Sequence, residues 1–119
     1  MAVRGIRGAT TCAANTPADI LAATRELLVE LVEVNHIQVQ DIAAVIFSLT
    51  DDLDAVFPAA AAREMGWQSV PLFCCQEINV PDSLKRCLRV LILLSIDQPQ
   101  NSLTFVYLHE AKKLRPDLT

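Results

Sequence analysis

Glycine is scarce in this chain. Only three occur in 119 residues, Gly5, Gly8 and Gly66, which removes the phosphate-cradling loops that depend on it. "RGIRGAT" holds two of them, but it has neither the lysine of a P-loop nor the spacing of a dinucleotide fingerprint. Positive charge is also short. The net charge is −4 and the pI about 5.0, which argues against nucleic acid and anionic membrane as partners, since both need a basic face. Long hydrophobic runs are missing: the longest aliphatic one, Val90 to Leu94, falls far short of a membrane span. Arg4 and Arg7 are not followed by the apolar segment of a signal peptide, so none is expected. The four cysteines, Cys12, Cys74, Cys75 and Cys87, include no C-x-x-C pair, and neither His36 nor His109 is placed to complete a zinc set. Free thiols in a reducing cytosol are expected, with no metal. "TDDLDAVF" lacks the glycine and closing glutamate of an EF-hand.

Apolar residues, by contrast, make up 52% of the chain, and mean hydropathy is +0.33. The length suits one domain over residues 1–119. A domain this small has little interior for so much apolar surface, which predicts a homo-oligomer. The pattern predicts β-α-β-α-β-β-β. "AVRGIRGATTCA" reads as a first strand. "NTPADILAATRELLVELVEVNH" reads as a helix, with Thr16 as cap, Pro17 at the first position and Asn35 as stop. Ile20, Thr24, Leu27, Leu28, Leu31 and Val34 form its apolar stripe. "DIAAVIFSLT" reads as a buried strand and "PAAAAREMG" as a short helix closed by Gly66. "WQSVPLFCCQEINV" is a third strand with Pro71 at an edge or bulge, followed by a helical turn from Pro81. "LRVLILLSI" and "LTFVYLHEA" complete the strands. The first half suggests a crossover unit and the second an antiparallel meander, in one sheet with helices on one face: an α+β fold with a mixed five-stranded sheet.

Charged residues on apolar strands are the candidates for chemistry. Arg4 and Arg7 sit three apart, so a strand puts them on opposite faces. Gly5 and Gly8 beside Arg7 suggest a close backbone approach that would let a ligand reach the guanidinium. Arg89 borders "RVLILLSI", on the face of Cys87, Leu91 and Leu93. An arginine there is costly unless an anion meets it. Glu77, in "CCQEINV", is the matching acid. Two readings stand: a structural ion pair between Glu77 and Arg89, or a polar ligand held by both. Tyr107 shares a strand face with Phe105 and His109, while Cys74 and Cys75 point to opposite faces. No Ser-His-Asp or Cys-His arrangement can be assembled. Isolated arginines on apolar strands fit a small multi-anionic ligand better than covalent chemistry.

"RGIRGATT", "DLDAVFPA" with "ARE" and "GWQ", "VP" followed by "CQE", "LKRCLRV", and "VYL" followed by "LRPDL" run in order along nearly the whole chain. Together they resemble the trimeric monofunctional chorismate mutases of the AroH class. The resemblance implies conversion of chorismate to prephenate, without metal or cofactor, by a homotrimer of pseudo-α/β-barrel architecture with active sites between subunits. It implies that Arg89 holds the ether oxygen and a carboxylate, and that Glu77 faces the ring and its hydroxyl. Arg7 and Tyr107 would hold the side-chain carboxylate, with Cys74 beside Glu77 as a weak donor. Phe57, Ala59 and Arg63 match the segment a neighbouring subunit contributes, and Arg115 would screen the site from the tail. Ala60 stands where some relatives carry lysine, the segment before Gly66 is one residue shorter, and Phe73 replaces a small polar residue. Cys74 and Glu77 differ by three, so lining one cleft requires a bend near Gln76. A non-catalytic trimer that senses or carries an aromatic-pathway dicarboxylate is the alternative.

Overall fold

The computed structural model describes residues 2–118. Five strands form one mixed sheet: β1 (Val3–Thr11), β2 (Ile42–Leu49), β3 (Leu72–Gln76), β4 (Cys87–Ser95) and β5 (Val106–Tyr107), in the order β3-β2-β4-β1-β5. Helices α1 (Pro17–Asn35) and α2 (Ala59–Glu64) follow β1 and β2. The element order is that of the sequence pattern, but the meander is overturned. β4 lies between β1 and β2, antiparallel to both, while β3 is parallel to β2 and β5 parallel to β1. The crossover through α1 therefore leaves a gap one strand wide. The strand that fills it is among the most apolar of the chain, as suits one bonded on both sides.

Both helices pack on one face of the sheet. The core there joins Ile20, Leu27, Leu28 and Leu31 of α1 to Ile6, Val45, Phe47, Leu88, Val90, Ile92 and Leu94 of the strands. Thr16 caps α1, its hydroxyl accepting from the Asp19 amide at 3.1 Å. Asn35 does not stop the helix. His36 does, in the left-handed region at φ 52°. Asn35 instead takes the buried stripe position four residues after Leu31, while Val34 is exposed. Its amide donates to the carbonyls of Leu31 and Thr104, both at 2.9 Å, and its oxygen accepts from the Thr104 amide at 2.7 Å. That clamp holds the approach to β5.

Gly8 faces α1. A Cβ there would lie 2.9 Å from Leu31 Cδ1, 3.0 Å from Leu27 Cδ1 and 3.1 Å from the Val106 carbonyl. The close approach read from this glycine thus serves helix packing, on the face opposite Arg7.

Three elements are shorter than their patterns. β5 spans two residues, because the Gln100 side chain takes the place of a strand partner. It donates to the Gly5 carbonyl at 2.6 Å and accepts from the Gly5 amide at 2.9 Å. β3 begins only after Pro71, whose carbonyl accepts from Val45. Trp67 and Val70, ahead of it, are core residues in the turn after Gly66. Pro81 opens a turn rather than a helix, with Asp82 at φ 64°.

Candidate active site

The second face of the sheet is only partly covered. The 3-10 segment His109–Leu114 crosses one end, where Ala9, Cys87, Tyr107 and Ala111 form a small second core. The rest of the face is open and carries Ala44, Ile46, Leu91 and Leu93, all half-buried, with Val3 and Phe73 exposed. Pairing places one row straight across it: Tyr107 beside Ala9, Ala9 beside Arg89, Arg89 beside Ser48, Ser48 beside Cys75. Arg7 stands on the same face, two residues before Ala9. Arg4, on the other face, is tied by Nε to the Gln98 carbonyl at 2.6 Å.

Glu77 joins the row from one residue beyond β3. Its amide donates to the Leu49 carbonyl at 2.8 Å, so the ladder continues and the side chain turns to the side of Cys75. Arg89 Nε lies 3.1 Å from Glu77 Oε2, and the two side chains are 44% and 27% exposed. The pair read from the sequence exists, but on an open face. An exposed pair of this kind contributes about 0–1 kcal/mol, too little to be a needed cement and little enough for a ligand to displace. Two further contacts shape the group and had little signal in the sequence. The Ser48 hydroxyl donates to Glu77 Oε2 at 2.8 Å; a lone hydroxyl in "IAAVIFSL" was the only hint. The Arg7 guanidinium carbon lies 5.2 Å from the centre of the Phe105 ring, within cation–π range.

Arg7, Glu77, Arg89 and Tyr107 are thus brought to one face. Arg115 comes to the edge of this group. Its bidentate contact to Asp117, at 3.1 and 3.0 Å, raises its affinity for the proton above the ordinary guanidinium value, and the neighbouring Tyr107 adds to this.

Cys74 is not brought there. β3 obeys strict alternation with no bend at Gln76, so Cys75 takes the place beside Ser48 and Cys74 turns to the α2 side. Burial pushes the Cys74 thiol up, opposed by the Ala59 backbone and the Arg63 charge. Phe57, Ala59 and Arg63 group with Cys74 rather than with Arg89. A groove of about 570 Å³ is lined by residues 49–51, 53–57 and 74–76. None of Arg7, Glu77, Arg89 or Tyr107 lines it. Ala59 is buried, whereas Phe57 is 69% exposed. Each chain therefore carries two separate groups, one on each side of β3.

Burial likewise pushes Cys12 up to about 11, with Cys87 adding to the rise, and raises Cys87, opposed by the Arg89 charge. Both thiols are inert core groups. Among the described residues, no His, Cys, Asp or Glu group is placed to hold a metal ion, and no helix is long and apolar enough to cross a membrane.

The family model for chorismate mutase type I matches residues 3–118. The chain belongs to the chorismate mutase type I family. It is 53% identical over 117 residues to chorismate mutase AroH of Thermus thermophilus, covering 98% of this chain and 96% of that protein. It is 47% identical over 120 residues to chorismate mutase AroH of Bacillus subtilis, covering 100% and 94%. The structure of a chorismate mutase from Clostridium thermocellum superposes with a TM-score of 0.90 at 48% identity, covering 92% of this chain and 97% of that one. The mixed five-stranded α+β sheet is thus a chorismate mutase fold in this chain as in that neighbour.

Proposed function

We propose that this chain is a chorismate mutase, and that the row around Arg89 is one half of its active site. Chorismate carries two carboxylates and an enol-ether oxygen, and its rearrangement to prephenate is unimolecular. The protein can supply only conformation and electrostatics. As the C–O bond breaks ahead of C–C closure, the ether oxygen becomes negative and the ring positive. The arrangement of one face suits both changes. Arg89 offers a mounted cation to the ether oxygen and a carboxylate, the oxyanion-hole principle applied to an ether. Glu77, 3.1 Å away, faces the ring as it becomes cationic and accepts from its hydroxyl. Arg7, stacked on Phe105, and Tyr107 receive the side-chain carboxylate. Holding both carboxylates folds the extended diacid into its compact reactive form.

Phe57, Ala59, Arg63 and Cys74 cannot meet this row within one chain. We assign them to the site of a neighbouring copy in a homotrimer of barrel-like architecture, each cleft built from the Arg89 face of one subunit and the Cys74 side of the next. The uncovered apolar face of Ile46, Phe73, Leu91 and Leu93 supports such an assembly. Arg63, and Arg115 beside Tyr107, would screen the cleft. Four free thiols suit a reducing cytosol as the working compartment.

The observation that carries the proposal is the row that sets Arg89 and Glu77 on the open part of one sheet face, with Tyr107 at its covered end, in a chain of this family. The test is to incubate the pure protein with chorismate, adding no metal or cofactor, and to measure prephenate. Failure to form it would sink the reading. A carrier or sensor of the same diacid would bind chorismate and a bicyclic transition-state mimic alike, whereas a catalyst prefers the mimic. Sedimentation reads the trimer.

A further inference from the structure

We infer that Ser48 is a positioning residue for Glu77, holding its carboxylate so that one oxygen is presented to the ligand. The inference deepens the mutase reading and rests on it. Glu77 stands at a weak point of the fold. Its amide makes the last ladder bond to Leu49, and beyond it Ile78 and Val80 are 78% and 53% exposed. A glutamate has three rotatable bonds, and Arg89 alone would draw the carboxylate over its guanidinium, where it would compete with the substrate. Ser48 opposes that. It lies on β2, bonded to β3 on one side and β4 on the other, and its hydroxyl donates to Glu77 Oε2 at 2.8 Å. Arg89 meets the same oxygen at 3.1 Å through Nε, the inner nitrogen. Both contacts converge on Oε2. The other oxygen, Oε1, is the one a ligand hydroxyl would meet, and the outer guanidinium nitrogens are those a ligand anion would meet.

A hydrogen bond to a charged group carries enough free energy for its loss to cost turnover about 10-fold. Ser48 faces the open side rather than the helix-covered core, so Ser48→Ala removes the donor without opening a core cavity. In the full-length chain, Ser48→Ala should lower kcat about 10-fold with KM changed much less, and Ser48→Thr, which keeps the hydroxyl, should recover most of the loss. In a Glu77→Gln background, Ser48→Ala should add little, because the serine acts through Glu77. Should Ser48→Ala fold poorly, the near-isosteric Ser48→Cys, a weaker donor, should fall between wild type and the alanine level. Wild-type kcat in Ser48→Ala, or full additivity with Glu77→Gln, would overturn the inference while leaving the mutase reading intact. A wild-type chain that makes no prephenate would overturn both.

Discussion

Arg89 and Tyr107 flank Ala9 from opposite sides, one on β4 and the other on β5. They are brought together because β1 pairs with both strands, antiparallel to the first and parallel to the second. Ala9 between them is 1% exposed because it lies in the small second core with Cys87, Tyr107 and Ala111. Arg89, 44% exposed, stands where that covered patch meets the open face, and a ligand anion can reach it there.

That geometry predicts a large loss on removing the cation. Arg89→Ala should cut turnover by roughly 10²- to 10³-fold, the scale of an oxyanion-hole donor. Prephenate formation by the purified variant reads this. Wild-type turnover would remove Arg89 from the reaction.

The two groups on either side of β3 predict complementation between subunits. Arg89→Ala and Arg63→Ala chains, each impaired alone, should regain activity when refolded together. In a random cyclic assembly about a quarter of the clefts would join two unmutated halves. Activity of the mixture no higher than the mean of the separate variants would argue that each chain builds its site alone.

Gly8→Ala should destabilise the chain by about 1–3 kcal/mol, as overpacking does. The new Cβ meets two leucine methyls and, at 3.1 Å, the Val106 carbonyl, which cannot rotate away. Thermal unfolding reads the effect. Gly5→Ala is the control: its nearest neighbour, Leu91 Cδ1 at 3.5 Å, is at ordinary contact distance, and unfolding midpoints that fall equally in both variants would discount the packing explanation.

Asp52 predicts an acid limb of stability. Its partial burial disfavours the charge, but the Thr50 hydroxyl, the Arg86 amide and the Arg86 charge outweigh this and hold its carboxyl below the usual range. A carboxyl lowered in the folded state stabilises the fold above its unfolded value of about 3.9. That contribution is lost as pH falls through the folded value. Denaturant midpoints of wild type should therefore exceed those of Asp52→Asn at pH 7, and the gap should close below about pH 4. A gap that does not change with pH would point to lost packing instead.

Periodicity carried the element order, the capped start of α1 and the face of Arg7 and Arg89, because these depend on neighbours a few residues apart and on strand alternation. The pairing of Arg89 with Glu77, one of two readings open in the sequence, was decided by the strand order that sets β2 between β3 and β4. The family's motifs, spread over the chain, named its chemistry. Alternation also placed Cys74 and Glu77 on opposite faces, and the tertiary structure kept them there. What only that structure decided were relations between distant segments. β4 enters between β1 and β2, so the meander is absent. Gly8 yields to α1 rather than to a ligand, Asn35 clamps Thr104 rather than ending a helix, and Ser48 reaches Glu77 across a parallel ladder. Such contacts arise from strand order and register, and these are set by which apolar surfaces bury one another, a property of the assembled sheet that no local stretch contains.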